Sequence, residues 1–326
     1  MNRLTRVLGS FVFACSLSAI PVAALAEYPD RPIRLIVPQA AGSATDTVAR
    51  ILAAELGPAL GGATVIVEDK PGGALTLGMD YVAKSAPDGY TLAVGPIGAM
   101  AITRHIVAKL PYVIEKDFQP IALIVHGHLM LAVSPKSDIK SVKELIEKAK
   151  ANPGKLTNAS SSNGSPGHVG GELFKFMTDT QIQHVPYRGG APAINDLVAG
   201  HVDLMFESLN GISSAARSGQ VKGLAVSGDK RSLAFPDLPT VAEAGVPGYS
   251  APTWTSLVGP AGLPKDIVDK LNAAVNRAIR SEGFRTRFSA IGDEPAGGTP
   301  QDLTETIARD SAKWKSVVER AGVKLD

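Results

Sequence analysis

Ile33-Arg34-Leu35-Ile36-Val37-Pro38-Gln39-Ala40-Ala41-Gly42-Ser43-Ala44-Thr45-Asp46-Thr47-Val48-Ala49-Arg50-Ile51-Leu52 is the stretch on which the fold turns. Its first five residues, after Pro32, form a β-rich run, and its end places Val48, Ile51 and Leu52, with Leu56 beyond, at helical spacing. A strand therefore feeds a helix through a loop of small residues. Such a junction exposes backbone N–H groups at the positive end of the helix dipole, which suits an anion such as a carboxylate. The small side chains let a ligand approach the backbone. The same residues also fit a plain turn capped by Ser43 or Asp46, and spacing alone does not choose.

The alternation continues outward. Residues 64–67, 91–94, 121–125, 129–133, 156–159, 202–206, 221–226 and 253–258 are strand-like, with Gly127 between two of the runs. Ser141-Val142-Lys143-Glu144 is a capping box ahead of Leu145, Ile146 and Ala149. Pro264 fits the first position of a helix carrying Ile267, Leu271, Val275 and Ile279 on one face. Thr299-Pro300-Gln301-Asp302 opens another, with Leu303, Ile307, Trp314 and Val318 facing a core. This pattern predicts an α/β fold with mostly parallel sheets.

The 326 residues, 44% hydrophobic and 20% charged, predict an ordinary globular chain of two domains. Aromatic residues make up 5%, too few for base-stacking platforms. Arg3 and Arg6, an apolar run over 7–25 and the small-x-small triplet Ala24-Leu25-Ala26 mark residues 1–26 as a secretory signal peptide. Setting aside its two arginines leaves 31 basic against 31 acidic residues, so no polybasic surface points to nucleic acid. Cys15, the only cysteine, leaves with the leader, and with it any disulfide, thiol nucleophile or thiolate metal site.

Two further loops suit an anion. Ser160-Ser161-Ser162-Asn163-Gly164-Ser165-Pro166-Gly167-His168 brings hydroxyls and an amide to a helix start, with Ser165 as cap, Pro166 at the first position and Leu173, Phe174 and Met177 as the apolar face. A flexible polar turn is the alternative. In His184-Val185-Pro186-Tyr187-Arg188-Gly189-Gly190-Ala191-Pro192, Arg188 sets a fixed positive fork beside a Gly-rich helix start with Pro192 at its first position. An exposed loop arginine is equally consistent. Enzyme signatures are missing: the chain has no Gly-x-Gly-x-x-Gly, Walker loop, Gly-x-Ser-x-Gly or His-Glu-x-x-His. Ser165 and His168 do not make a nucleophile pair by spacing alone. His126 and His128 can share a strand face but lack a visible third metal ligand. Asp88, Asp196, Asp203 and Glu207 form no recognisable acid–base pair.

Several motifs in one order carry a resemblance. They are Tyr28-Pro29-Asp30-Arg31-Pro32 running into 33–38, then Thr45-Asp46, Glu68-Asp69-Lys70-Pro71-Gly72-Gly73 and Ala86-Pro87-Asp88-Gly89-Tyr90. His184-Val185-Pro186-Tyr187-Arg188-Gly189, Pro239-Thr240-Val241-Ala242-Glu243-Ala244-Gly245 and Gly259-Pro260-Ala261-Gly262-Leu263-Pro264-Lys265 follow. Over 28–326 the chain resembles the Bug-type (TctC-like) solute receptors of tripartite tricarboxylate transporters. The resemblance implies a two-lobe periplasmic-binding-protein fold (type II-like), with two mixed sheets flanked by helices and the ligand in the cleft between lobes. It implies a periplasmic receptor, not an enzyme, needing no cofactor and no metal. The receptor would capture a small carboxylate and deliver it to a two-subunit membrane permease.

By the same resemblance the crossings fall near 125–134 and 253–259, giving lobe 1 as 27–125 plus 252–326 and lobe 2 as 126–251. The ligand contacts carried over are Gln39, Gly42, Ser43, Thr45 and Asp46 from lobe 1. From lobe 2 come Ser161, Ser162, Asn163, Gly164, Ser165 and His168, with Arg188 and Gly189. The family's first loop usually runs Pro-Phe-Pro-Pro-Gly-Gly-x-x-Asp. This chain keeps Gly42, Thr45 and Asp46 but has Gln39, Ala40, Ala41 and Ser43 where Phe, Pro, Pro and the second Gly are usual. Asp46 is expected to brace its loop and order water, since a bare carboxylate repels an anion. A monomer is expected, because closure needs free lobes. A ligand sensor of the same fold is the alternative function.

Overall fold

The computed structural model describes residues 28–322; the segment expected to be a signal peptide, with Cys15, lies outside them. In chain order the strands are β1 (Ile33–Val37), β2 (Val65–Asp69), β3 (Thr91–Pro96), β4 (Phe118–Gly127), β5 (Leu129–Val133), β6 (Thr157–Ser160), β7 (Gln183–Pro186), β8 (Leu204–Ser208), β9 (Lys222–Val226), β10 (Thr253–Pro260) and β11 (Glu294–Gly297). The helices are α1 (Ala44–Ala59), α2 (Thr76–Ala83), α3 (Thr103–Ile106), α4 (Ile114–Asp117), α5 (Val142–Ala151), α6 (Pro166–Thr178), α7 (Gly190–Ala199), α8 (Leu209–Arg217), α9 (Lys265–Ala278), α10 (Glu282–Ile291) and α11 (Pro300–Ala321).

The strands form two sheets, ordered β11-β4-β10-β3-β1-β2 and β7-β6-β8-β5-β9. Both are mixed rather than mostly parallel. β1 pairs parallel with β2 and β3, but β10 runs antiparallel to β3 and β4. In the second sheet β6 lies parallel to β7 and β8, and β5 antiparallel to β8 and β9. The strand-to-helix units supply the parallel pairs. The antiparallel ones arise where the chain passes from one sheet to the other, between Gly127 and Leu129, and later returns into β10.

Ser227 ties those two passages together. Its Oγ accepts from Leu129 N at 2.8 Å and donates to the Ala251 carbonyl at 2.6 Å, while its backbone bonds to the same two residues. Its side chain is fully buried, so these bonds are shielded from water. α11 covers the opposite side. Leu303, Ile307, Trp314 and Val318 are all buried, and Trp254 Nε1 donates to Asp310 Oδ2 at 2.6 Å beneath them. One apolar cluster joins Ile36 and Val258 of the first sheet to Leu131 and Phe206 of the second, so the halves share a core at this edge.

Several element boundaries differ from the sequence-based expectation. Pro264 is the N-cap of α9 rather than its first helical residue. α7 begins at Gly190, two residues before Pro192, which is tolerated because first-turn N–H groups have no intrahelical partner. β7, β11, α8 and α10 lacked a clear periodic signal. His126 lies on β4, while His128 follows the strand's end, so the two share no strand face. Among the described residues no helix is long and apolar enough to cross a membrane.

Candidate functional site

A cavity of about 250 Å³ lies between the sheets, with a second of about 600 Å³ beside it. Ser43 caps α1: its Oγ accepts from Asp46 N, and its carbonyl accepts from Thr47 N. The N–H groups of Ala44 and Thr45, at the first two helical positions, remain for a ligand. Both residues line the central cavity, with Gln39, Gly42 and Ser43. Gly42 sits at φ +76, where a β-carbon is strained. Thr45 Oγ1 donates to Gln39 Oε1, which fixes the Gln39 amide at the rim.

Asp46 stands behind this loop and lines neither cavity. It is 3% exposed and accepts from Gly42 N at 2.8 Å. Arg50 Nε lies 2.8 Å from its carboxylate, and Arg50 Nη2 continues to Asp69 at 3.2 Å. Burial, with Asp46 close by, pushes the Asp69 carboxyl above its usual range. Arg50, one turn below the loop, is the cation that bridges the two carboxylates.

The second loop is braced differently. Ser165 caps α6 through His168 N, and Pro166 at the first position has no N–H. A β-carbon on Gly167 would lie 2.0 Å from the Phe206 carbonyl, so the helix start is pressed onto β8. Pro166 and Gly167 still line the central cavity, but the proline removes one of the first-turn donors that the sequence reading expected there. His168 Nδ1 accepts from Gly164 N at 3.1 Å, and its ring stacks on His184 at 3.8 Å. His184 Nε2 lies 2.6 Å from Ser160 Oγ. Burial holds both histidines neutral, down to about 3 for His168 and about 4 for His184.

Of the lobe 2 residues carried over from the resemblance, Ser161 lines the central cavity and also the adjoining one, where Ser162, Arg188 and Gly189 join it. Asn163, Gly164, Ser165 and His168 line neither; they hold the loop's shape. Gly189, at φ +128, caps α7 and donates its N–H to the Ser161 carbonyl at 2.8 Å, joining the two loops. Gly190 and Ala191, the first two residues of α7, line the central cavity.

Among the polar residues of the cavity wall that sequence reasoning missed are Glu207 at the end of β8, Asn210 on α8 and Asp293 before β11. Asn210 Nδ2 donates to Asp293 Oδ2 at 2.7 Å, from the second sheet's side to the first's. Burial pushes both carboxyls up to about 7, against Ser208 N–H and Ser161 at Glu207 and against Asn210 at Asp293. Glu207 had one available signal, a carboxylate at the carboxyl end of a sheet strand, where α/β folds place ligands. Leu75 also lines the cavity. It ends a run of left-handed residues, Gly72, Gly73, Ala74 and Leu75, whose two non-glycines store strain of about 1–3 kcal/mol each.

Comparisons with known proteins agree with this architecture. The chain is 36% identical over 326 residues to protein BugT of Bordetella pertussis, covering 100% of this chain and 99% of that one. The structure of Rpa4515 from R. palustris with adipate superposes with a TM-score of 0.88 at 36% identity, over 91% of this chain and 99% of that chain. MatC from Rhodopseudomonas palustris with bound malate gives 0.84 at 34%, over 89% and 100%. The periplasmic binding protein BugD gives 0.86 at 33%, over 91% and 99%. The tripartite tricarboxylate transporter family receptor model, TctC, matches residues 48–323. The chain therefore belongs to the TctC family, whose members are solute-binding receptors and not enzymes.

Proposed function

We propose that this chain is a periplasmic receptor that captures a small carboxylate in the central cavity and delivers it to a two-subunit membrane permease. Lobe 1 would comprise residues 27–125 and 252–326, and lobe 2 residues 126–251, each built on one sheet. The observation that carries the reading is the head of α1. Ala44 and Thr45, whose first-turn N–H groups have no intrahelical partner, line the central cavity beside Gly42 and the Ser43 cap. A carboxylate there meets aligned donors and the positive end of a 16-residue helix. The adipate of Rpa4515 and the malate of MatC support a carboxylate as the ligand class. Arg188, at the adjoining cavity, would draw the anion in as the lobes close.

The test is thermal unfolding of the protein against a panel of small carboxylates, after stripping co-purified ligand by unfolding and refolding. A ligand held only by the folded state adds about 2.7 kcal/mol at a hundredfold excess over its Kd. One clear upward shift is the expected result. A panel of mono-, di- and tricarboxylates that moves nothing would overturn the reading.

A further inference from the structure

An anion seated at the head of α1 shares its cavity with two acids. Among the described residues lining that cavity there is no lysine, arginine or histidine, while Glu207 and Asp293 are both on its wall, 6% and 5% exposed. A negative ligand in this enclosed space disfavours the ionised form of both carboxyls, because like charges out of water repel strongly and no side chain on the wall offsets them.

The two acids are not equally supported. Glu207 Oε1 accepts from Ser208 N at 2.9 Å, and Ser161 stands against the same carboxyl. A β-carbon on Gly190 would lie 3.4 Å from Glu207 Oε2, and one on Gly211 3.5 Å from Oε1. Glu207 thus rests on the first turns of α7 and α8, whose dipoles favour its charge. Asp293 has the Asn210 amide, whose Nδ2 donates to its Oδ2 at 2.7 Å. Beside it stands Gly127 at the end of β4, where a β-carbon would overlap Asp293 Oδ1. His126 and His128 flank Gly127, and Glu294 pairs with His126 across β11 and β4, yet no charged group moves the Asp293 carboxyl. Burial raises it to about 7, and Asn210 alone opposes.

Asn210 shows what a proton changes. An ionised Asp293 only accepts, so the amide gives it Nδ2 and leaves Asn210 Oδ1 buried without a partner. A protonated Asp293 donates. The amide can then turn over, accept the carboxyl O–H on Oδ1 and free both hydrogens of Nδ2. An orphan acceptor on the cavity wall becomes a donor, which a carboxylate can satisfy.

We propose that the receptor takes up its carboxylate together with one proton from solvent, which settles on Asp293 and turns the Asn210 amide toward the bound anion. This rests on the carboxylate reading above and adds to it a coupling to pH.

The test is calorimetry on the stripped, refolded protein with succinate, malate and adipate. Titrations at pH 7.5 in HEPES and in Tris, which differ in ionisation heat, count the protons exchanged. Uptake of more than about half a proton per ligand is expected, with affinity about tenfold weaker at pH 8.5 than at pH 6.5. Asp293→Asn is uncharged at every pH, so uptake should vanish and affinity should differ less than about twofold between the two pH values. If that variant does not fold, the wild-type proton count decides together with Asn210→Ala, which should bind about fivefold more weakly than wild type at pH 6.5. Binding without proton uptake, or uptake that survives in Asp293→Asn, overturns the inference and leaves the carboxylate receptor standing. If none of the three acids binds, the inference falls with them, and the receptor reading falls only with the whole panel.

Discussion

The loop over 38–46 and the loop over 160–168 both carry a strand into a helix beside the cavity, yet they are held by opposite means. The first is braced by charge. Asp46 ties Gly42 N to Arg50, and Arg50 reaches Asp69. The second is braced by neutral packing, with His168 accepting from Gly164 N and stacking on His184 under cover. The consequence is functional. The charged brace leaves the N–H groups of Ala44 and Thr45 open. The packed one closes α6 with its own cap, a proline and a glycine pressed on β8. Pro166 leaves α6 one first-turn donor fewer than α1, although both loops looked alike as strings of small residues before a helix.

The largest expected effect separates the braces by pH. His168 and His184 titrate at about 3 and about 4 in the folded state, below the unfolded value near 6.5. Their contribution is complete above pH 6.5 and is lost as pH falls, because the unfolded chain then binds protons that the folded one does not. Each can cost up to about 1.4 kcal/mol per pH unit in that window. Glu207 and Asp293, raised to about 7, act with the opposite sign: the folded chain holds protons that the unfolded one has shed, so stability falls as pH rises from about 4 to 7. His105, His126 and His128 are also lowered by burial and form a common background. Urea unfolding from pH 7 to pH 4.5 should therefore show a shallower acid loss in His168→Asn than in wild type, and a steeper one in Glu207→Gln. The asparagine amide oxygen can replace Nδ1 toward Gly164, so the variant should also cost about 2 kcal/mol at pH 7 for the lost ring stack. Parallel pH profiles for all three proteins would refute this account of the second loop.

That pH contrast also marks what was legible in the sequence. The β1–α1 junction could be read because local signals agree: an apolar run, a Ser cap and a helical period. The same holds for Ser165-Pro166 and for Thr299-Pro300, where the capping box is formed with Asp302. The His168–His184 stack was not legible, since it joins two elements that only the sheet brings together. Nor was the acidic wall: Asn210 and Asp293 are 83 residues apart and meet across the cleft. β11, Glu294-Pro295-Ala296-Gly297, has no strand pattern and is recruited by pairing with β4. Residues whose role is local could be named in advance, while those set by the packing of one half on the other could not.

Next in size is the charged brace itself. Asp46→Ala should cost about 2–3 kcal/mol, because it strands Gly42 N and leaves Arg50 facing Asp69 alone. Asp46→Asn keeps an acceptor for Gly42 N and should cost about 1 kcal/mol. Both should weaken carboxylate binding, the alanine variant more, because the loop presenting Ala44 and Thr45 loses its shape. Unchanged affinity and an unchanged Tm in Asp46→Asn would end the bracing role, and the difference between the loops would then lie in sequence alone.

Salt gives the smallest effect and the cleanest separation. Arg50 is 54% exposed on its side chain, so its pairs with Asp46 and Asp69 feel the ionic atmosphere. An exposed pair of this kind is worth about 0.2–1 kcal/mol, and raising the salt from 0.02 to 0.5 M removes much of it. In the histidine stack of the second loop His168 is buried and His184 half-buried, both are uncharged at pH 7.5, and salt has nothing there to screen. The salt-induced drop in stability should therefore be a few tenths of a kcal/mol in wild type, persist in His168→Asn and shrink in Asp46→Asn. Chloride must be matched by a control in sulfate, because an anion that settles at the head of α1 stabilises by binding and masks the screening. A stabilising response seen only with one anion would report occupancy of the ligand seat, and it would itself disappear if the Ala44 and Thr45 N–H groups were not the site.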